Sequence, residues 1–104
     1  MTERATEDVG ELIARLAAAA DVPGLSVADG TDYRVGDRVI VEVRGPTASF
    51  RLRPDVANAA ARTPDAGPSA NGPGWVAFTP PTLDRFAGDR IASWFEFAVR
   101  GARD

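Results

Sequence analysis

Apolar residues recur at helical spacing in the first part of the chain. The steps between them are three or four residues, which places the following positions on one face of a helix: Val9, Leu12, Ile13, Leu16 and Ala20. We therefore predict a helix over residues 7–20, with Thr6 as its N-cap and Glu7 in its first turn. The dipeptide Pro23-Gly24 follows the apolar run and ends the helix.

The period changes from helical spacing to alternation at residue 25. Residues 25–27 or residues 33–35 form a short strand, and the alternation does not decide between them. The dipeptide Asp29-Gly30 between the two segments has the composition of a turn.

A hairpin is indicated by two alternating segments, residues 38–44 and 47–53, on either side of Gly45-Pro46. Glycine followed by proline suits a two-residue type II′ turn, because only its first position requires a positive φ. This turn sets a register that brings apolar residues together in pairs on one face: Val43 with Ala48, Val41 with Phe50, and Val39 with Leu52.

The second half of the chain predicts two helices around a strand. A short helix begins at Pro54 and covers residues 54–62, and a loop rich in glycine and proline follows over residues 63–74, with room for one short edge segment. Residues 75–78 form a buried strand. A terminal helix runs over about residues 82–100, weakened at Gly88, where Asp89 caps its second half.

The predicted order is one helix, two or three strands, a helix, one or two strands, and a final helix. Such an order is typical of an α+β two-layer sandwich, an antiparallel sheet with helices on one face. The 104 residues form one domain, residues 1–104, without internal repeats or a linker.

Composition narrows the chemistry that the chain can perform. It contains neither cysteine nor histidine, and all twelve of its basic residues are arginine. Thiolate nucleophiles, imidazole bases and cysteine- or histidine-ligated metals are thereby excluded, and so is a lysine Schiff base. The paired carboxylates are better explained as helix caps than as acid–base groups. We therefore predict a non-enzymatic domain with no catalytic residue, metal site or cofactor.

Basic residues gather on the other face of the predicted hairpin. The register that pairs the apolar residues places four arginines together, opposed only by Glu42: Arg38, Arg44, Arg51 and Arg53. It also sets Arg38 directly across from Arg53, where like charges destabilise the pair. Three interpretations stay open for this surface: a solvated outer face, an arginine cradle for phosphate or carboxylate groups, or a contact surface for another protein.

Net charge weighs against nucleic acid as the partner of these arginines. The chain carries a formal charge of −3, whereas dedicated nucleic-acid binders usually carry a basic patch on a basic domain. Binding of nucleic acid is therefore an alternative that the sequence does not favour.

The terminal helix supplies the other candidate surface. Trp94 and Phe95 lie on its apolar side, but Phe97 points about 200° away from Phe95 at helical spacing. We expect Phe97 and Trp94 to contribute to an interface with a protein partner or with a second copy of the chain. The alternative is that Phe97 packs under the first helix of a monomer.

The acidic, polar N-terminus resembles neither a signal peptide nor a transit peptide, and no apolar stretch approaches the length of a membrane span. These features predict a cytoplasmic protein that does not enter membranes.

Three features together resemble a known family: the hairpin, the Arg53-Pro54-Asp55 helix start, and the strand motif Gly74-Trp75-Val76-Ala77-Phe78. Over about residues 37–100 the chain resembles the MmcQ/YjbR-like family and its TfoX N-terminal relatives. The resemblance implies an α-β3-α-β2-α fold in two layers. The family is commonly described as DNA-binding, but that description rests on fold analogy. The resemblance implies no functional residue for this chain.

Overall fold

The computed structural model describes residues 8–103, which form three helices and six strands in the order α1-β1-β2-β3-β4-α2-β5-β6-α3. The helices are α1 (Val9–Ala20), α2 (Pro54–Ala60) and α3 (Arg85–Arg103). The strands are β1 (Leu25–Ala28), β2 (Asp32–Val35), β3 (Arg38–Arg44), β4 (Thr47–Arg51), β5 (Ala66–Pro68) and β6 (Trp75–Phe78).

All six strands belong to one antiparallel sheet with the order β1-β2-β3-β4-β6-β5. Both segments between which the sequence did not decide are strands, since β1 pairs with β2 in a hairpin. The turn between them contains Asp29 and Gly30, which both adopt a positive φ. The short edge segment expected in the loop before β6 is β5.

The register of the β3–β4 hairpin is confirmed near its turn. Val43 pairs with Ala48 and Val41 with Phe50, and Gly45 has a φ of +58°, as the first position of a type II′ turn requires. All four paired side chains are buried. The two-residue turn therefore sets the register of this part of the sheet.

The predicted register fails further from the turn, at the start of β3. The pairing of β2 with β3 shifts by one residue between Tyr33 and Arg34, so that Ile40 is an extra residue opposite β2. A β-bulge of this kind reverses which face the following side chains occupy. Regular alternation with Val39 and Val41 would place Ile40 on the outer face, but it is 1% exposed. Val39 is only half-buried and does not pair with Leu52.

A capping box begins α1 at Val9, two residues later than predicted. Asp8 is the N-cap: its carboxylate accepts a hydrogen bond from the Glu11 backbone N–H at 2.8 Å, and its own N–H donates to the Glu11 carboxylate at 2.9 Å. Asp21 ends the helix in a left-handed conformation. Thr6 and Glu7, predicted as N-cap and first turn, lie outside the described residues.

The terminal helix α3 is continuous through Gly88, so Asp89 caps no separate second half. The cap belongs to Asp84 instead, whose carboxylate accepts a hydrogen bond from the Ala87 backbone N–H at 2.9 Å. Arg85 therefore begins the helix, three residues later than expected.

One core lies between the sheet and the three helices, and it draws buried residues from each helix. Trp94 of α3 is near its centre, in edge-to-face contact with Phe50 at 5.9 Å and with Phe78 at 5.2 Å between ring centroids. The sheet residues of this core lie on a single face by register, so the helices cover that face. The fold is the expected α+β two-layer arrangement.

Within residues 8–103, none of the helices combines the length and the apolar content that a membrane crossing requires.

Two glycines provide a matched test of this backbone. Gly88 lies inside α3, where an added Cβ would meet open space, so Gly88→Ala should stabilise the protein by about 1 kcal/mol through helix propensity. Gly74 has a φ of +84°, and an added Cβ would lie 3.3 Å from the Leu52 carbonyl oxygen. Gly74→Ala should therefore destabilise the protein by about 1–3 kcal/mol. Chemical denaturation measures both, and shifts of the same sign would contradict the structure at one of the two positions.

Candidate anion-binding site

The four arginines predicted to form one surface are divided between the two ends of the hairpin. Arg44, beside the Gly45 turn, is occupied by carboxylates: its Nη1 lies 2.9 Å from Oδ1 of Asp32, and its Nη2 lies 3.4 Å from Oε1 of Glu42. Asp32 and Glu42 are paired residues on adjacent strands, so the three charges share the outer sheet face. Arg44 is therefore a structural residue of the sheet, held by Asp32 and Glu42.

This pairing changes the acidity of both partners. The hydrogen bond from Arg44 is the main cause that holds the pKa of Asp32 below its ordinary value, and the same bond raises the pKa of Arg44. Both groups are therefore charged throughout the physiological range.

The other three arginines lie toward the far end of the hairpin. Arg38, Arg51 and Arg53 line a cleft of about 240 Å³ between the sheet and α3. Their side chains are exposed, whereas the apolar residues Ile40 and Leu52 in the same lining are buried. The remaining lining residues are Pro54, Pro73, Gly74, Ala98, Gly101 and Ala102.

Local geometry brings each arginine to this cleft. The bulge at Ile40 gives Arg38 a partner in Val35, and Arg38 lines the cleft together with Ala98 and Ala102 of α3. Arg51 is the last residue of β4, and Arg53 is the N-cap of α2. The opposition of Arg38 and Arg53 across a ladder, which was expected to be unfavourable, does not occur, because the β3–β4 pairs end at Val41 and Phe50.

A tight backbone contact forms another wall of the cleft. The Leu52 N–H donates a hydrogen bond of 2.7 Å to the Gly74 carbonyl oxygen, which holds the loop before β6 against the end of β4. The positive φ of Gly74 and its close approach to Leu52 explain why glycine precedes Trp75.

Within residues 8–103, the arginines of this cleft have few carboxylate partners. Of the described residues that line it, none has a carboxylate. Arg38 and Arg51 form no ion pair with any residue in the range 8–103, and Arg53 reaches Asp55 only at 3.5 Å, with both side chains more than 70% exposed. An exposed pair of this geometry contributes little.

The C-terminal end of helix α3 adds a weak negative potential to the cleft. Its last turns, at Gly101 and Ala102, line the cleft, and a helix C-terminus carries about half a negative charge. That partial charge favours arginine here, but it is small against three guanidinium groups. The described lining of the cleft thus carries more positive than negative charge.

Three small residues of α3 were not identified from the sequence as part of this site. Ala98, Gly101 and Ala102 leave the space that the arginines surround. Their spacing of three and four residues puts small side chains on one helix face, and this pattern in the sequence could have identified that face of α3 as part of the site.

The two aromatic residues proposed for an interface have different environments. Trp94 is only 8% exposed and lies in the core, which corrects the prediction that it contributes to an interface. Phe97 is 45% exposed and lines a second cavity, of about 170 Å³, with Val56, Arg53, Arg100 and Gly101. Because Phe97 lies beside α2 and is exposed, it does not pack under α1.

Among the residues that the structure describes, no three carboxylates lie close enough together to hold a metal ion.

Comparison with known proteins identifies no relative of the chain: no family model, no curated protein and no solved structure matches it. The resemblance to the MmcQ/YjbR-like family therefore stays a prediction.

The Asp32–Arg44 pair predicts a measurable pH effect. Because the pKa of Asp32 is lowered in the folded state, its contribution to stability is present at neutral pH and is lost as the pH falls through the folded pKa, below about 4. Carboxyl ¹³C shifts should show Asp32 titrating below an ordinary aspartate, and Arg44→Gln should raise its pKa. Arg62→Gln serves as the control, and an unchanged Asp32 titration in Arg44→Gln would contradict the pair.

Proposed function

We propose that the protein is a small non-enzymatic binding domain, of the MmcQ/YjbR-like type that its sequence resembles, whose ligand carries a phosphate or carboxylate group. The arginine cleft holds that group. The observation that carries this proposal is the convergence of Arg38, Arg51 and Arg53 on one cleft without a lining carboxylate.

Guanidinium chemistry supports an oxyanion as the ligand. Arginine presents a planar fork of N–H donors that matches carboxylate and phosphate oxygens in two parallel hydrogen bonds. In a chain with a formal charge of −3, three arginines in the lining of one cleft are a local exception to the overall charge. Such a concentration of like charge costs free energy that a bound anion would offset.

The shape of the site favours a compact ligand over duplex nucleic acid. A duplex is bound through phosphate contacts spread over a long basic surface, and Arg44, which would extend that surface along the hairpin, is instead paired with Asp32. The three remaining arginines line one cleft of about 240 Å³. We therefore assign the cleft to a single anionic group and retain duplex binding as an outcome of the test.

Binding without catalysis is the activity that the residue types support. The chain has no histidine, cysteine or lysine to act as nucleophile or base near neutral pH, and the cleft offers only guanidinium groups and apolar walls. The arrangement can neutralise and orient an anion.

The proposal predicts that pyrophosphate and citrate, as probes of the two oxyanion classes, perturb amide resonances of cleft residues in NMR titrations. Arg51→Gln should weaken binding of the preferred probe by about tenfold or more, the amount that a lost charge-assisted hydrogen bond removes. The probe that binds more tightly identifies phosphate or carboxylate as the group recognised.

Arg62→Gln is the matched control, because Arg62 is also exposed and lies outside the cleft lining. Its affinity should equal that of the wild type. Absence of binding by both probes at millimolar concentration would overturn the proposal. Binding of a DNA duplex with a steep salt dependence that Arg38→Gln reduces would replace it with nucleic-acid recognition.

A further inference from the structure

The arginine cleft has a neighbour with different chemistry. The second cavity, of about 170 Å³, is lined by Phe97 and Val56 together with Arg53, Arg100 and Gly101. Two of these residues, Arg53 and Gly101, also line the arginine cleft. The two cavities therefore lie next to each other, with Arg53 and Gly101 in the lining of both.

Gly101 keeps the junction between the cavities free of a side chain. A Cβ built at this position meets no other atom within 4 Å, so the space beside the helix backbone is open. Glycine is a poor residue for a helix, costing about 1 kcal/mol relative to alanine, and α3 nevertheless carries it where both cavities meet.

Phe97 offers an aromatic surface beside the positive charge. Its side chain is 45% exposed, although it borders the partly buried Val56 of α2. Exposed aromatic rings next to arginines are the elements with which proteins bind the bases of nucleotides, by stacking on the base and pairing with the phosphate. Arg53 and Arg100 can add guanidinium planes to the same stack.

We infer that the ligand is a mononucleotide or a similar phosphate ester of a planar ring. Its phosphates lie among Arg38, Arg51 and Arg53, and its ring lies in the second cavity against Phe97. This inference rests on the proposed anion site and adds to it the part of the ligand that gives specificity.

Size and charge favour a single nucleotide over a polymer. The charge that surrounds the two cavities is local: Arg53 has Asp55 nearby, and Arg100 is paired with Glu96 at 2.9 Å. The chain as a whole carries a formal charge of −3, which disfavours a long polyanion.

The test compares ADP with pyrophosphate and with adenosine by calorimetry or NMR titration. ADP should bind about tenfold more tightly than pyrophosphate, since stacking of one base contributes that much or more. Adenosine alone should bind more weakly than either, because it cannot use the arginines. Phe97→Ala should remove the advantage of ADP and leave pyrophosphate binding unchanged, and Phe97→Trp should retain the advantage.

Phe86→Ala is the matched control, because Phe86 is also an exposed phenylalanine of α3, at 69%, and lines neither cavity. Its ADP affinity should equal that of the wild type.

Three outcomes would overturn the inference. Equal affinities for ADP and pyrophosphate would show that the ring is not recognised, while leaving the anion site intact. Affinity for oligothymidylates that rises steeply with length would identify a polymer-binding surface. A wild-type dimer in sedimentation that becomes monomeric in Phe97→Ala would show that Phe97 contacts a second copy of the chain. Failure of pyrophosphate itself to bind would instead count against the proposed anion site.

Discussion

The extra residue at Ile40 determines how the two ends of the hairpin differ. Near the turn, β3 pairs with β4 in the register that the Gly45 turn sets, and Arg44 forms ion pairs with carboxylates of the outer sheet face. Beyond the bulge the faces exchange, Ile40 enters the core, and Arg38 lies beside α3. Without this irregularity Arg38 would project from the outer face, away from the cleft that Ala98 and Ala102 border. Both the core and the site therefore depend on one local departure from regular pairing.

Helix α3 connects the stability of the fold to the geometry of the cleft. Its Trp94 ring contacts both Phe50 and Phe78, which belong to two adjacent strands, so the position of the helix over the sheet is fixed by packing. One turn further along, Ala98 continues into the cleft lining. The site is thus formed by small residues on a helix whose large residues anchor it.

The turn and the order of elements could be predicted because each depends on neighbouring residues. Gly45-Pro46 selects a turn, the turn selects a register, and the apolar pairs Val41–Phe50 and Val43–Ala48 agree with it. The bulge could not be predicted, because Val39 and Ile40 are both apolar and either can face the core. Only the pairing of β3 with β2 decides between them, and that is a non-local contact. The division of the arginines was missed for the same reason. Gly101, which lines both cavities, lies about fifty residues further along the chain than the hairpin.

A site made only of guanidinium groups has a constant charge. Arginine stays protonated in proteins at all accessible pH values, and the chain has no histidine, cysteine or lysine whose side chain would titrate between about pH 5 and 9. The guanidinium groups of the proposed anion site therefore keep the same charge across this pH range. Any variation of affinity across this range belongs to the ligand, and for a phosphate monoester it would follow the second ionisation near pH 6. For the proposed ligand, the pH dependence of its affinity would therefore report the ionisation of the ligand itself.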